Sequence, residues 1–238
     1  MIVVRTSEER HTLDHQGAVS QLSFSFAEYQ DLGNEHFGCL LVHNDYSLPA
    51  GYTGKQQHVH DLIVVSIVLS GTLLIEEKDG LGYRKIAEGE IDVQHAGTGI
   101  DVSYSNASKS ESVRYIQLWF LPAKSGEQPS SSVMKLQQEE QMNRLTAVVP
   151  EERHRPEEGL YPFSMYLPEL DKASTVELSS SDKRIYIYLT GGAAEIQCDG
   201  ESYMLEEGDA VRIQDAGGVR ITGMSPDQPA RMMIIELP

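Results

Sequence analysis

The chain repeats itself, and the repeat narrows the choice of folds. Val68-Leu69-Ser70-Gly71 returns as Tyr188-Leu189-Thr190-Gly191, Glu88-Gly89-Glu90 as Glu207-Gly208-Asp209, and Ala96-Gly97 as Ala216-Gly217, each 119 or 120 residues further along. Three matches in the same order at nearly one offset point to a duplicated domain. Inside each copy the apolar runs are strand-sized. Leu62–Leu69 is rich in Val and Ile; Leu73-Leu74-Ile75, Ile91–Val93 and Val113–Phe120 follow. Turn residues separate them at Gly71, Asp79-Gly80 and Glu88-Gly89. This rhythm predicts an all-β chain of sandwiches or barrels. The one helical pattern lies at Met134–Arg144, where Met134, Leu136 and Met142 sit among Gln and Glu. A polar, breaker-rich stretch, Lys124 to Ser132, opens the joint between the copies. The expected division is an N-terminal barrel over 1–122, a linker with a short helix over 123–159, and a C-terminal barrel over 160–238.

Charge limits the partners. With 19 Lys plus Arg against 36 Asp plus Glu, the formal net charge is −17, and both halves are acidic. A nucleic-acid backbone or an anionic lipid surface needs a basic footprint, so direct binding to either is not expected. No apolar run approaches the ~18 residues of a membrane span. Met1-Ile2-Val3-Val4-Arg5 does not read as a signal peptide. Two cysteines, Cys39 and Cys198, stand far apart and read as small buried hydrophobes. A cytoplasmic location is the expectation.

The candidate site is Gln57-His58-Val59-His60. Two histidines two apart on a strand share one face, so both imidazoles can reach a single metal ion. Gly97-Thr98-Gly99 and Gly191-Gly192 lack the context of phosphate loops. Glu76-Glu77 and Glu206-Glu207 read as solvated faces near turns, and Trp119 as core.

His58-x-His60 followed by Gly71 resembles the first cupin motif, and Glu88-Gly89-Glu90-Ile91 the start of the second. The N-terminal half resembles the pirin family more closely. The similar segments are Leu13-Asp14-His15, Phe24-Ser25-Phe26-Ala27-Glu28-Tyr29, Phe37-Gly38, Val42-His43-Asn44-Asp45, Val68-Leu69-Ser70-Gly71, Ala96-Gly97-Thr98-Gly99-Ile100 and Gln117-Leu118-Trp119-Phe120. The resemblance implies a bicupin, two antiparallel jelly-roll barrels in one chain. It also implies a mononuclear Fe(II)-type site held by the HxH histidines and by a His and a Glu in an AGxGIxHSE pattern. Carried over, these are His58, His60, Val102 and Tyr104, so two of four ligands are replaced. Val64 stands where the family's HxHxxxE has Glu. Asp101 and His95 are the nearby alternative donors. In the C-terminal copy the equivalents of His58 and His60 are Leu178 and Ser180, and no histidine follows His154. The remaining histidines, His11, His15, His36 and His43, form no second pair.

Three functions follow as expectations. One is a binding or regulatory protein with weak or vestigial metal binding at His58 and His60. It would take a small molecule in the N-terminal cavity, lined by Val64, Val102 and Tyr104, or a protein partner. A second is a metal-dependent dioxygenase of quercetinase type, which the resemblance implies, using Fe(II) or another divalent metal. The third is a rewired metal site in which Tyr104, Asp101 or His95 joins the histidine pair.

Overall fold

In the computed structural model, residues 1–78, 82–149, 161–179 and 182–238 are described. The Asp79-Gly80 turn, Ser180, His154 and the end of the expected linker lie outside the described residues. The chain is built from antiparallel sheets, and it forms two compact units. Among the described residues no helix is long and apolar enough to cross a membrane.

Residues 11–136 form the first unit. Its larger sheet runs Ser130–Lys135, Glu90–His95, Ile63–Ser70, Val113–Phe120, Leu40–Leu48, Ala18–Leu22, His11–His15. Its smaller sheet runs Gln57–Val59, Ile100–Asn106, Thr72–Glu77, Tyr83–Ala87. The second unit has the same plan, with Ala210–Ile213, Arg184–Gly191 and Ala230–Leu237 adjacent in one sheet and Thr175–Leu178, Val219–Gly223, Ala193–Cys198, Glu201–Glu206 forming the other. Strands that follow one another in the sequence repeat thus take equivalent places in the two units. The turn after the first repeat strand needs a left-handed residue. Gly71 (φ +77°) supplies it in one unit and Gly192 (φ +73°) in the other, one residue beyond the Gly191 of the motif match.

Alternation sets the faces. In Thr72–Glu77 every second residue, Leu73, Ile75 and Glu77, is buried. Leu73 and Ile75 join Val59, Val64, Val68, Val102, Tyr104 and Tyr115 in the core of the first unit. The second core is more uniformly aliphatic, with Ile185, Ile187, Leu189, Ile196, Val211 and Ile234.

Four expectations are corrected. The helix is only Gln138–Gln141, because Met134 and Lys135 end a strand, Ser130–Lys135, hydrogen-bonded along Glu90–His95. Ladder pairing with an available sheet edge outweighs a weak helical pattern. That strand also extends the first unit past residue 122. At the other end, residues 1–10 belong to the C-terminal unit, since Ile2–Arg5 pairs with Ala210–Ile213 from Ile2↔Ile213 to Arg5↔Ala210. Asp209 fastens this segment by accepting from the Ser7 N–H at 2.8 Å and the Glu206 N–H at 3.0 Å. Cys198 is buried as expected, but Cys39 is half-buried. Trp119 is half-buried against the first core and meets Phe26 edge-on at 5.4 Å.

Candidate functional site

His58 and His60 share a face, with ring centroids 6.0 Å apart. That face is the outer one. Their side chains are 62% and 65% exposed, while Val59 between them is buried in the core. The register of Gln57–Val59 against Ile100–Asn106 explains why. His58 stands opposite Asp101, Val59 opposite Ile100, and Gln57 opposite Val102. Residues directly opposite in an antiparallel pair project to one side, so Asp101 goes outward with His58, and Gln57 goes inward with Val102. The His58 imidazole bonds Asp101 Oδ1 through Nδ1 at 2.8 Å, and His60 Nδ1 lies 3.5 Å from Asp61 Oδ2.

Val64, Val102 and Tyr104 are buried in the barrel core. The structure therefore does not bring the histidine pair together with the three positions expected to share its cavity. The inward positions on the histidine strand are Gln57 and Val59, one residue out of step with His58 and His60; a shift of one residue exchanges the faces of a strand. His95 is buried at the end of Glu90–His95, on the face opposite to Gln94. Burial lowers its pKa, partly offset by Glu127. Among the described residues no three His, Cys, Asp or Glu side chains converge as a metal site.

A buried charged network occupies the interior instead. Glu77 stands opposite Val102, Arg84 opposite Ile75, and Asp92 and Gln94 opposite Ser66 and Val64. The Arg84 guanidinium donates to both carboxylates, Nη2 reaching Asp92 Oδ2 at 3.0 Å and Nη1 reaching Glu77 Oε1. Gln94 Nε2 also donates to Glu77, and the Tyr104 hydroxyl donates to Gln94 Oε1 at 3.3 Å. Glu77 is thus not a solvated residue beside a turn, as expected from Glu76-Glu77; only Glu76 is exposed. The signal was present in the alternation, because Glu77 is in phase with Leu73 and Ile75.

Electrostatics follow from this burial. Desolvation would weaken the hold of Arg84 on its proton, but its hydrogen bonds to Asp92 and Glu77 and their charges outweigh that, and its pKa is raised. Burial raises the Asp92 carboxyl despite Arg84. Tyr104 is pushed far above the ordinary phenol value, by burial first and then by the Asp92 charge, so it stays neutral. Burial lifts Tyr46 to about 12.

Next to the network lies a cavity of about 190 Å³ walled by Tyr46, Tyr52, Tyr104 and Tyr115, with Gln117 lining it and Lys55 exposed at its edge. Tyr115 stacks on Tyr46 at 5.1 Å and on Tyr104 at 6.4 Å. Gly54 lets the loop after Tyr52 lie flat on this wall: a Cβ there would sit 2.1 Å from the Tyr104 carbonyl oxygen. Gly54→Ala is therefore expected to cost about 1–3 kcal/mol, read as a fall in Tm, because backbone would have to move. The second unit has a larger, acidic groove of about 480 Å³ lined by Glu177, Asp199, Glu201 and Arg220; Arg220 Nε is paired with Glu177 at 2.9 Å.

Known proteins share this architecture. Residues 3–120 match the Pirin family model. A putative quercetin 2,3-dioxygenase of Mycobacterium tuberculosis, Rv0181c, is 28% identical over 99% of this chain and 95% of its own length. Quercetin 2,3-dioxygenase of Escherichia coli is 36% identical over 54% of this chain and 55% of its own. Among solved structures, the Escherichia coli bacterial pirin YhhW, in complex with nickel(II), superposes with a TM-score of 0.87 at 24% identity, covering 100% of this chain and 99% of YhhW. A matching fold over the whole chain and a matching family model over its N-terminal half lead to one conclusion: the chain is a bicupin of the pirin family.

Proposed function

We propose that the N-terminal barrel binds a small organic molecule without a catalytic metal, as a binding or regulatory module. The observation that carries this reading is the set of inward side chains. On the two strands that meet at the candidate site these include Gln57, Val59, Ile100, Val102 and Tyr104.

The family and the nickel complex of YhhW raise the question of a divalent cation in this barrel. The residues present do not fit one. Valine has no lone pair, and Gln57 offers a single neutral amide. Tyr104 would have to ionise, which its burial opposes. Arg84 already pairs with both Glu77 and Asp92 from within, so a dication would meet a positive charge beside its site. The exposed pair His58 and His60, with Asp101 and Asp61 behind it, belongs to a different surface.

The relatives' names favour a second reading, a quercetinase-type dioxygenase. One experiment separates the two: elemental analysis of untagged protein after incubation with Fe(II) or Ni(II), with oxygen uptake measured on quercetin. The expected result is metal well below one equivalent and no quercetin-dependent uptake. Near-stoichiometric metal that persists in the His58→Ala/His60→Ala variant, with uptake, would overturn the proposal. Metal that disappears in that variant would place it on the outer face and support the rewired site.

A further inference from the structure

Among the described residues, three polar atoms on the interior face of the first unit lack a protein partner: Asn44 Oδ1, Ser66 Oγ and Gln117 Nε2. Asn44 and Ser66 are 0% exposed and Gln117 2%. They form one row across the sheet, Gln117 standing opposite Ser66 on one side and Asn44 on the other. Buried groups are ordinarily paired, and each one left unpaired costs about 1–3 kcal/mol. Three adjacent ones beside a cavity mark a place made for something else.

The orientation of Gln117 is chemically determined. Trp119 Nε1 donates to Gln117 Oε1 at 3.0 Å. An indole N–H can only donate, so the carbonyl end of the amide must face it. The amide nitrogen then remains as an unused donor, sealed just under the wall that Gln117 contributes to the cavity, and a ligand reaches it once that wall shifts.

Size and walls narrow the ligand. At about 190 Å³ the cavity holds more than a single water, whose share of liquid volume is ~30 Å³. It is smaller than the ~300–1,000 Å³ of pockets for drug-sized molecules. A flavonol, with two fused rings and a pendant third, belongs to that larger class. Four tyrosines make the walls, and a flat ring is the shape that packs among stacked aromatic faces. The lining offers an amide donor at Gln117 and an ammonium at Lys55. A matching ligand carries two acceptor oxygens, one of them anionic.

We propose that this cavity binds a single-ring aromatic carboxylate bearing a ring hydroxyl. The hydroxyl oxygen accepts from Gln117 Nε2, the ring lies among Tyr46, Tyr52, Tyr104 and Tyr115, and the carboxylate faces Lys55. The inference rests on the metal-free reading above and deepens it by naming the ligand class.

The test is calorimetric titration of the untagged full chain with 4-hydroxybenzoate, benzoate, 4-hydroxybenzamide and quercetin. The expected order is 4-hydroxybenzoate first, with benzoate weaker by about tenfold for the lost hydrogen bond to a buried donor. Lys55→Gln, a change at an exposed side chain, should weaken 4-hydroxybenzoate by about threefold to tenfold and leave 4-hydroxybenzamide unchanged. Equal binding of acid and amide, or no response to Lys55→Gln, would overturn the carboxylate assignment while leaving a metal-free binding barrel. Absence of binding by every single-ring probe would overturn the inference, the row then being satisfied by water. Tight binding of quercetin only with added metal would overturn the underlying reading itself.

Discussion

Arg84→Ala is expected to destabilise the protein by about 3–5 kcal/mol, measured by urea unfolding at neutral pH. The change removes the cation from two carboxylates whose side chains are each 1% exposed. Breaking a buried ion pair from one side leaves uncompensated charge in a low-dielectric interior, and that costs more than the pair contributed. Replacing the group as a whole, Arg84→Met with Glu77→Leu and Asp92→Leu, should recover most of the loss. The sign of the pH dependence follows from Asp92, whose carboxyl is raised by burial even with Arg84 present. A raised carboxyl contributes stability that is full below its unfolded pKa and is lost as pH climbs through the folded value. Without Arg84 that folded value moves higher still. The penalty of Arg84→Ala should therefore be greatest at pH 8 and shrink toward pH 5, as protonation removes the unpaired charge. A penalty that is equal or larger at pH 5 would show that these carboxylates do not govern it.

The second expected result is a gain. Gln57→His, Val59→His, Val102→His and Tyr104→Glu together should retain about one equivalent of Ni(II) through dialysis, because all four positions face inward in register. The smaller change, Val102→His with Tyr104→Glu, should not, since His58 and His60 project outward and cannot complete the set. The gap in Ni(II) affinity should exceed about 100-fold, because losing even an outer partner of a metal ligand costs 10–100-fold. Circular dichroism of both variants separates misfolding from an empty site. If the double variant binds nickel as tightly as the quadruple one, the strand register at Gln57–Val59 is wrong.

That register also shows where sequence reasoning stops. The repeat and its turn glycines were enough to read two barrels, because strand length and turn chemistry are local. The HxH spacing was enough to place two imidazoles on one face. Which face is a long-range fact, set by hydrogen bonds from Gln57–Val59 to Ile100–Asn106, about forty residues away, and one residue of slip reverses it. Glu77 and Arg84 are similar: the alternation of Thr72–Glu77 showed the burial of one, but only the pairing of Thr72–Glu77 with Tyr83–Ala87 reveals its cation. The row of Asn44, Ser66 and Gln117 joins three strands that are not consecutive in the chain, so no local pattern marks it. The strand Ile2–Arg5 escaped for the same reason, its partner lying at the far end of the sequence.

Ile2–Arg5 has a consequence for how the chain is made and cut. It covers the edge of a sheet whose other strands come more than a hundred residues later, so during synthesis the cover exists long before the edge it must reach. The loop to be closed spans the whole first unit; such closure grows costly only slowly with length, but contacts this distant form late. A fragment beginning at Gln137 would carry the buried residues of the second core but lose Ile2 and Val4, which pack against them, and would leave one edge of Ala210–Ile213 open to pairing with another copy. The two barrels are thus a duplicated pair in design but not separable goods: the unit that ends the chain is finished by the residues that begin it.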